Sequence, residues 1–210
     1  MVEQLPLKEM VAGSNPARGT IFMLNIIIFG SPGSGKGTQA ELISQKYKLS
    51  HLSSGELLRQ ELKNGILGEK IKKYQNAGKL VPDNIIISMM ETAIRKKING
   101  SGFIFDGYPR NLKQAKNLDK FLIKNNLPLS LVIDLKLNQK EALSRIIQRG
   151  KTSGRSDDNV KTITNRFKTY KIQTKPILEY YKNQKKVISI DGQPAIKDIF
   201  EKIKTIIDSI

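Results

Sequence analysis

The sequence predicts a doubly wound α/β fold, a five-stranded parallel sheet with helices on both faces. Three observations carry that expectation. Short apolar runs alternate with longer stretches of helical periodicity, which is the signature of βαβ units. The apolar runs are nearly uninterrupted, as strands covered on both faces should be. A glycine-rich turn closes the first run and opens a helix, at the place where such sheets bind phosphates. The 210 residues fit one domain carrying small inserts.

The elements follow in order. Leu24 to Phe29 is the first strand, and a helix is expected from about Gly35 to Tyr47. A short apolar piece at His51 and Leu52 marks a second strand, and Phe103 to Phe105, Leu131 to Leu135 and Val187 to Ile190 mark three more. Asn138 with Glu141 three positions later resembles a capping box opening a helix that ends near Gly150. Val160, Ile163, Phe167 and Tyr170 recur at steps of three and four, so a long helix buries one face there. The last helix is expected to begin near Pro194 and run to the C-terminus.

Composition removes several function classes. There is no cysteine and a single histidine, His51, so a disulfide framework and a thiolate zinc site are both out of reach. No window approaches the ~18 consecutive apolar residues of a membrane-spanning helix, and a cytoplasmic protein with no membrane partner is expected. The formal net charge is +17, which draws phosphate-bearing ligands of any kind. The lysines are spread along the chain without stacking aromatics between them, so a solvated basic surface is a better reading than a nucleic-acid interface. Residues 1–22 carry neither a secretory apolar run nor an acid-poor transit pattern, and Met23 stands directly before the first strand. They read as a disordered extension or an over-called start, with the working domain over 23–210.

The chemistry sits in Gly30-Ser31-Pro32-Gly33-Ser34-Gly35-Lys36-Gly37-Thr38. Glycines let successive backbone N–H groups turn toward phosphate oxygens, the helix N-terminus adds its positive end, and Lys36 reaches the outer phosphates. A tight turn alone would not require that lysine. The general pattern places Ser or Thr after the lysine, whereas here Gly37 stands there and Thr38 follows.

That variant, GxPGxGKGT, resembles the loop of adenylate kinases and their pyrimidine-nucleotide relatives. Four further blocks resemble the same family in order and spacing: Leu52 to Arg59, Gly78 to Pro82, Gly102 to Arg110, and Arg149 to Asn159. The resemblance covers about residues 23 to 210. It implies ATP on Ser31, Pro32, Gly33, Ser34, Gly35, Lys36, Gly37 and Thr38, with Arg145, Arg149 and Gln193 also toward ATP. It implies AMP on Ser54, Arg59, Lys79, Leu80, Val81, Gly107, Arg110 and Gln114, and it places Arg155 and Arg166 on the transferred phosphoryl group. The catalytic set so implied is Lys36, Arg110, Arg149, Arg155 and Arg166. Mg²⁺ is expected with ATP, held through water by Asp106 at the end of a buried strand. A cis bond at Tyr108–Pro109 is implied as well. Two inserts are expected, a monophosphate-binding segment over about 52–81 and a short lid over about 150–159. That lid lacks the residues and the length for the zinc site of longer lids.

The residues have their own physical reading. Arg145 and Arg149 lie four apart on one helix face and can point at one ligand. Arg155 and Arg166 are eleven apart, about three turns, near one face. His51 reads as a strand residue, because phosphoryl transfer to an anionic phosphate oxygen needs no strong general base. Asp157 and Asp158 beside Arg155 read as partners that orient arginines. The implied reaction is ATP + AMP = 2 ADP in a monomer. A UMP/CMP kinase is the alternative, since such enzymes resemble the chain equally from Arg149 to Asn159. A P-loop ATPase or GTPase is more remote, because no guanine-reading NKxD motif is present. Ser54 and Gln114 favour adenine: the pyrimidine kinases tend to carry Ala and Asn at those places, and a Gln amide offers the adjacent donor and acceptor that adenine requires.

Overall fold

The computed structural model describes residues 23–64, 67–153 and 160–210. Five strands form one parallel sheet in the order β2-β3-β1-β4-β5, with β1 at Leu24–Gly30, β2 at Ser50–Ser53, β3 at Gly102–Asp106, β4 at Leu131–Lys136 and β5 at Val187–Asp191. The expected strands are all present, each longer by a residue or two than its apolar run. The doubly wound α/β expectation holds.

Alternation along β1 explains how one strand serves two cores. Ile26 and Ile28 face one side, with Ala40, Ile43, Ile199 and Ile203. These last four come from helices α1 (Lys36–Tyr47) and α9 (Ile196–Ile207). Ile27 and Phe29 face the other side, which is covered by α2 (Ser54–Asn64), α3 (Gly68–Asn76), α4 (Asp83–Arg95), α5 (Leu112–Lys124) and α8 (Lys175–Lys182). Burying a side chain of Ile or Phe size stabilises by roughly 1.5–3 kcal/mol, and all four are at most 4% exposed. Asn25 is the polar exception in this strand. Its amide donates to the Pro128 carbonyl and accepts from the Phe103 N–H, each at 3.1 Å, so both its nitrogen and its oxygen are paired.

The remaining helices are α6 (Gln139–Ser153) and α7 (Val160–Thr169). Asn138 does cap α6, accepting from the Glu141 N–H at 2.8 Å. The reciprocal half of the box is not made, because the Glu141 carboxylate takes Arg145 instead, at 2.9 Å. The helix also runs three residues past Gly150, to Ser153. Pro194 lies outside the last helix, whose N-cap is Ala195.

The long amphipathic stretch from Val160 is continuous but not uniform. Between α7 and α8 the chain makes a π turn, Tyr170–Thr174, closed by the Lys175 N–H donating to the Tyr170 carbonyl. Pro176 accounts for it: a proline has no N–H to donate and crowds the carbonyl four residues back. Residues 1–22 and most of the expected lid, 154–159, fall outside the described residues. Among the described residues no helix is long and apolar enough to cross a membrane.

Candidate active site

All five strands point their C-terminal ends the same way, and β1 and β3 both deliver site residues at that edge. Beyond β1 the loop Gly30–Gly35 turns back into α1. Gly33 has φ +81°, and a Cβ there would lie 2.3 Å from the Ala142 carbonyl, so only glycine lets the loop press against α6. Gly35 caps α1 with φ +88°, where a Cβ would meet nothing within 4 Å. No side chain caps this helix and its first turn carries no acidic residue. Its leading N–H groups are thus left to an anion.

Lys36 follows directly, and among the described residues its ammonium donates to the Ser31 carbonyl, at 3.4 Å. Burial pushes its pKa down to about 8. Arg110, Arg166 and Arg149 push the same way, and only Asp106 opposes them. Four cations are therefore gathered around the Asp106 carboxylate, an arrangement that favours further negative charge. Asp106 ends β3. Burial raises its pKa, but the imidazole of His51, Lys36 and Arg110 outweigh that and hold it below the usual carboxylate range. His51 Nε2 lies 3.9 Å from Asp106 Oδ2. Asp106 Oδ1 is buried without a protein partner. A Cβ on Gly37 would sit 3.4 Å from Asp106 Oδ2, so the glycine that departs from the general loop pattern keeps the space above this carboxylate open.

At the far end of the cleft a second cluster forms. The Tyr108–Pro109 bond is cis, and Arg110 folds back so that its Nε donates to the Gly107 carbonyl at 2.7 Å and its Nη2 to Ser54 Oγ at 3.3 Å. Ser54 donates to that same carbonyl. Gly107 has φ +69°, and a Cβ there would lie 3.1 Å from both Arg110 Nη2 and Ser54 Oγ. Gln114 is 1% exposed; its Oε1 accepts from the Arg110 N–H and its Nε2 donates to Asp83 Oδ1, both at 2.8 Å. Asn111, the N-cap of α5, donates to the same Asp83 oxygen at 2.8 Å. These bonds fix which way the Gln114 amide points, and they leave it one N–H and one lone pair.

One open cleft of ≈ 1130 Å³ joins the two ends. That exceeds the ~300–1,000 Å³ of a site for one drug-sized ligand, and it has room for two nucleotides. Lys36, Asp106, Ser54, Arg59, Gly107, Arg110 and Gln114 line it. Lys79, Leu80, Val81, Arg145, Arg149, Arg166 and Gln193 line it too. Of the loop residues, Pro32 through Thr38 line it, whereas Ser31 does not: it offers its carbonyl to Lys36, and its buried Oγ has no partner. Arg155, Asp157 and Asp158 lie outside the described residues. Arg145 is engaged along its edge by Glu141, by the Gly192 carbonyl at 3.1 Å and by the Gln193 carbonyl at 3.4 Å.

Sequence reasoning missed the floor of the cleft. Thr169, Tyr170 and Thr174 line it, and Thr174 donates to the Arg110 carbonyl at 2.9 Å. Pro176 was the available signal, since a proline inside a helical pattern announces a local break.

Comparison with known proteins agrees with this geometry. The family model described as adenylate kinase matches residues 28–186. The chain belongs to the adenylate kinase family. An adenylate kinase of Parabacteroides distasonis is 43% identical over 189 residues, which are 90% of this chain and 100% of that protein. One from Azobacteroides pseudotrichonymphae is 44% identical over 189 residues, 90% of this chain and 99% of its own. One from Flavobacterium psychrophilum is 41% identical over 190 residues, 90% of this chain and 100% of its own. Family membership makes the chain a nucleoside monophosphate kinase rather than a module that merely binds nucleotide.

Proposed function

We propose that this chain is an adenylate kinase acting as a cytoplasmic monomer, transferring a phosphoryl group reversibly between ATP and AMP to give two ADP. The observation that carries the reading is the gathering of Lys36, Arg110, Arg149 and Arg166 around one cleft with a phosphate loop at one end and an anchored amide at the other. The phosphates of ATP and AMP repel one another, and cations held in place before they arrive offset that repulsion without reorganising during the reaction.

ATP would lay its phosphates on the loop from Pro32 to Thr38, its outer phosphates on Lys36, and its base against the flat face of Arg145 beside Gln193. AMP would set its phosphate on Arg59 and Arg110 and its base against Lys79, Leu80, Val81 and the remaining donor and acceptor of Gln114. The acceptor phosphate then faces the terminal phosphate of ATP in line, which is most of what phosphoryl transfer asks of a protein. Arg149, Arg155 and Arg166 would offset charge on the transferring group. A lid over about 150–159 would exclude water, the competing acceptor.

The residues also suit Mg²⁺. Asp106 is ionised, and its buried Oδ1 lacks a protein partner. Among the described residues no cluster of three His, Cys, Asp or Glu could cage a metal, and Mg²⁺ is commonly held by one or two carboxylates together with substrate phosphates. Bound there, it would neutralise phosphate charge, with Asp106 orienting its water shell.

The test is a coupled assay of ADP formation. Purified protein given Mg·ATP and AMP should form two ADP per ATP consumed. Release of inorganic phosphate without AMP dependence would indicate an ATPase and refute the reading.

A further inference from the structure

The C-terminal end of α3 is closed in an unusually complete way. Gly78 adopts φ +64°, its N–H donates to the Gln75 carbonyl and the Lys79 N–H to the Tyr74 carbonyl, both at 3.0 Å. This is a Schellman closure, and it satisfies the carbonyls of the last turn. The next three carbonyls, of Asn76, Ala77 and Gly78, would ordinarily go to water. Instead each meets a side chain of α7. Thr162 Oγ1 donates to Asn76 O at 3.0 Å, Asn165 Nδ2 to Ala77 O at 3.1 Å, and Thr169 Oγ1 to Gly78 O at 3.2 Å.

Steps of three and four put the three donors on one face of α7, so a ladder on one helix reads three successive carbonyls on the other. The fit is close: a Cβ on Gly78 would lie 2.8 Å from the Thr162 carbonyl and 2.9 Å from Asn165 Cβ. The chain leaving Gly78 is Lys79-Leu80-Val81, which lines the cleft, and the same face region of α7 brings Arg166 to it.

We propose that Thr162, Asn165 and Thr169 are positioning residues for the acceptor nucleotide. They act through the backbone of residues 76–78, holding the Lys79–Val81 stretch at a fixed distance from Arg166. This deepens the adenylate kinase reading and rests on it. Their hydrogen bonds run to residues 76–78, which lead into the AMP end of the cleft, so they should govern that end and leave the ATP end alone.

The ladder can be dismantled one rung at a time with shape kept: Thr162→Val, Asn165→Leu and Thr169→Val, with Thr169→Ser as the control that retains the hydroxyl. A hydrogen bond of this kind has a net worth corresponding to roughly 2- to 12-fold in an equilibrium. Each single variant should raise the KM for AMP by about that factor and leave the KM for ATP within about twofold, and kcat should hold in Thr162→Val and Asn165→Leu, whose positions, unlike Thr169, do not line the cleft. Thr169→Ser should restore the AMP KM. An unchanged AMP KM in all three, or equal rises in both Michaelis constants, would overturn the proposal. If the unmodified protein makes no ADP from ATP and AMP, the adenylate kinase reading itself fails, a result separable from any behaviour of the variants.

Discussion

Lys36 is the residue on which most of the site's electrostatics converge. Its pKa of about 8 against the usual 10.5 means that the folded, ligand-free protein gives up this proton before the unfolded chain does. Between those values the unfolded chain binds more protons, so this group's contribution to stability rises with pH across that window. Phosphate oxygens favour the charged form and should return the pKa toward its usual value. ATP binding at about pH 9 is thus expected to take up close to one proton, read as a dependence of calorimetric heat on buffer ionisation enthalpy. Lys36→Met should abolish the uptake, and it should lower kcat by roughly 10²-fold or more with the fold intact, since the ammonium stabilises charge that grows in the transition state. Proton uptake that persists in that variant would mean another group titrates. Asp106 and Arg110 were legible in the sequence because they share one specific motif, Gly102 to Arg110, and Gln114 because it stands four residues past Arg110, where the pyrimidine kinases tend to carry Asn. What the sequence left hidden is how Gln114 is held: the Asp83 carboxylate that fixes its amide lies 31 positions away, and no local pattern announces that partner.

Helices and turns were legible to the extent that their cause is local. Asn138 announces the start of α6 because its cap reaches only three residues along the chain. The end of that helix was misread because Gly150 suggested a stop, and a lone glycine costs a helix only about 1 kcal/mol. Gly78 shows the limit from the other side. Its motif was visible, yet the reason for a glycine there is the approach of α7, some 85 residues later. Gly78→Ala should therefore be costly twice over, through a left-handed backbone worth about 1–2 kcal/mol and through contact with Thr162 and Asn165. A fall in Tm of at least about 3 °C, together with a raised AMP KM, is the expected result in thermal melts and kinetics. Asn111→Ala, which removes the α5 cap and one of the two amides on Asp83, should cost about 1 kcal/mol and lower kcat/KM for AMP more than for ATP. Equal losses for the two nucleotides would show that the network supports the helix alone.

For the whole molecule, the five strands and the two cores follow from periodicity and from β1 being apolar on both faces, whereas the strand order is seen only in the structure. The net charge of +17 gave no such guidance. Part of it is turned into the cleft, as Lys36, Arg110, Arg149 and Arg166, and the motifs, not the charge total, separate those cations from the solvated ones. The acceptor base is what separates this chain from the pyrimidine kinases, which resemble it in loop and lid alike. The anchored Gln114 retains one donor and one acceptor for a base edge, and Ser54 keeps a hydroxyl beside Arg110. A site built to hydrogen-bond one base can reject another by about a hundredfold or more. The decisive measurement is kcat/KM for AMP, CMP, UMP and GMP in turn with saturating Mg·ATP. AMP should lead CMP and UMP by at least about a hundredfold, and Gln114→Asn should erode that lead while ATP binding holds. Use of CMP as efficient as that of AMP would contradict the adenine assignment.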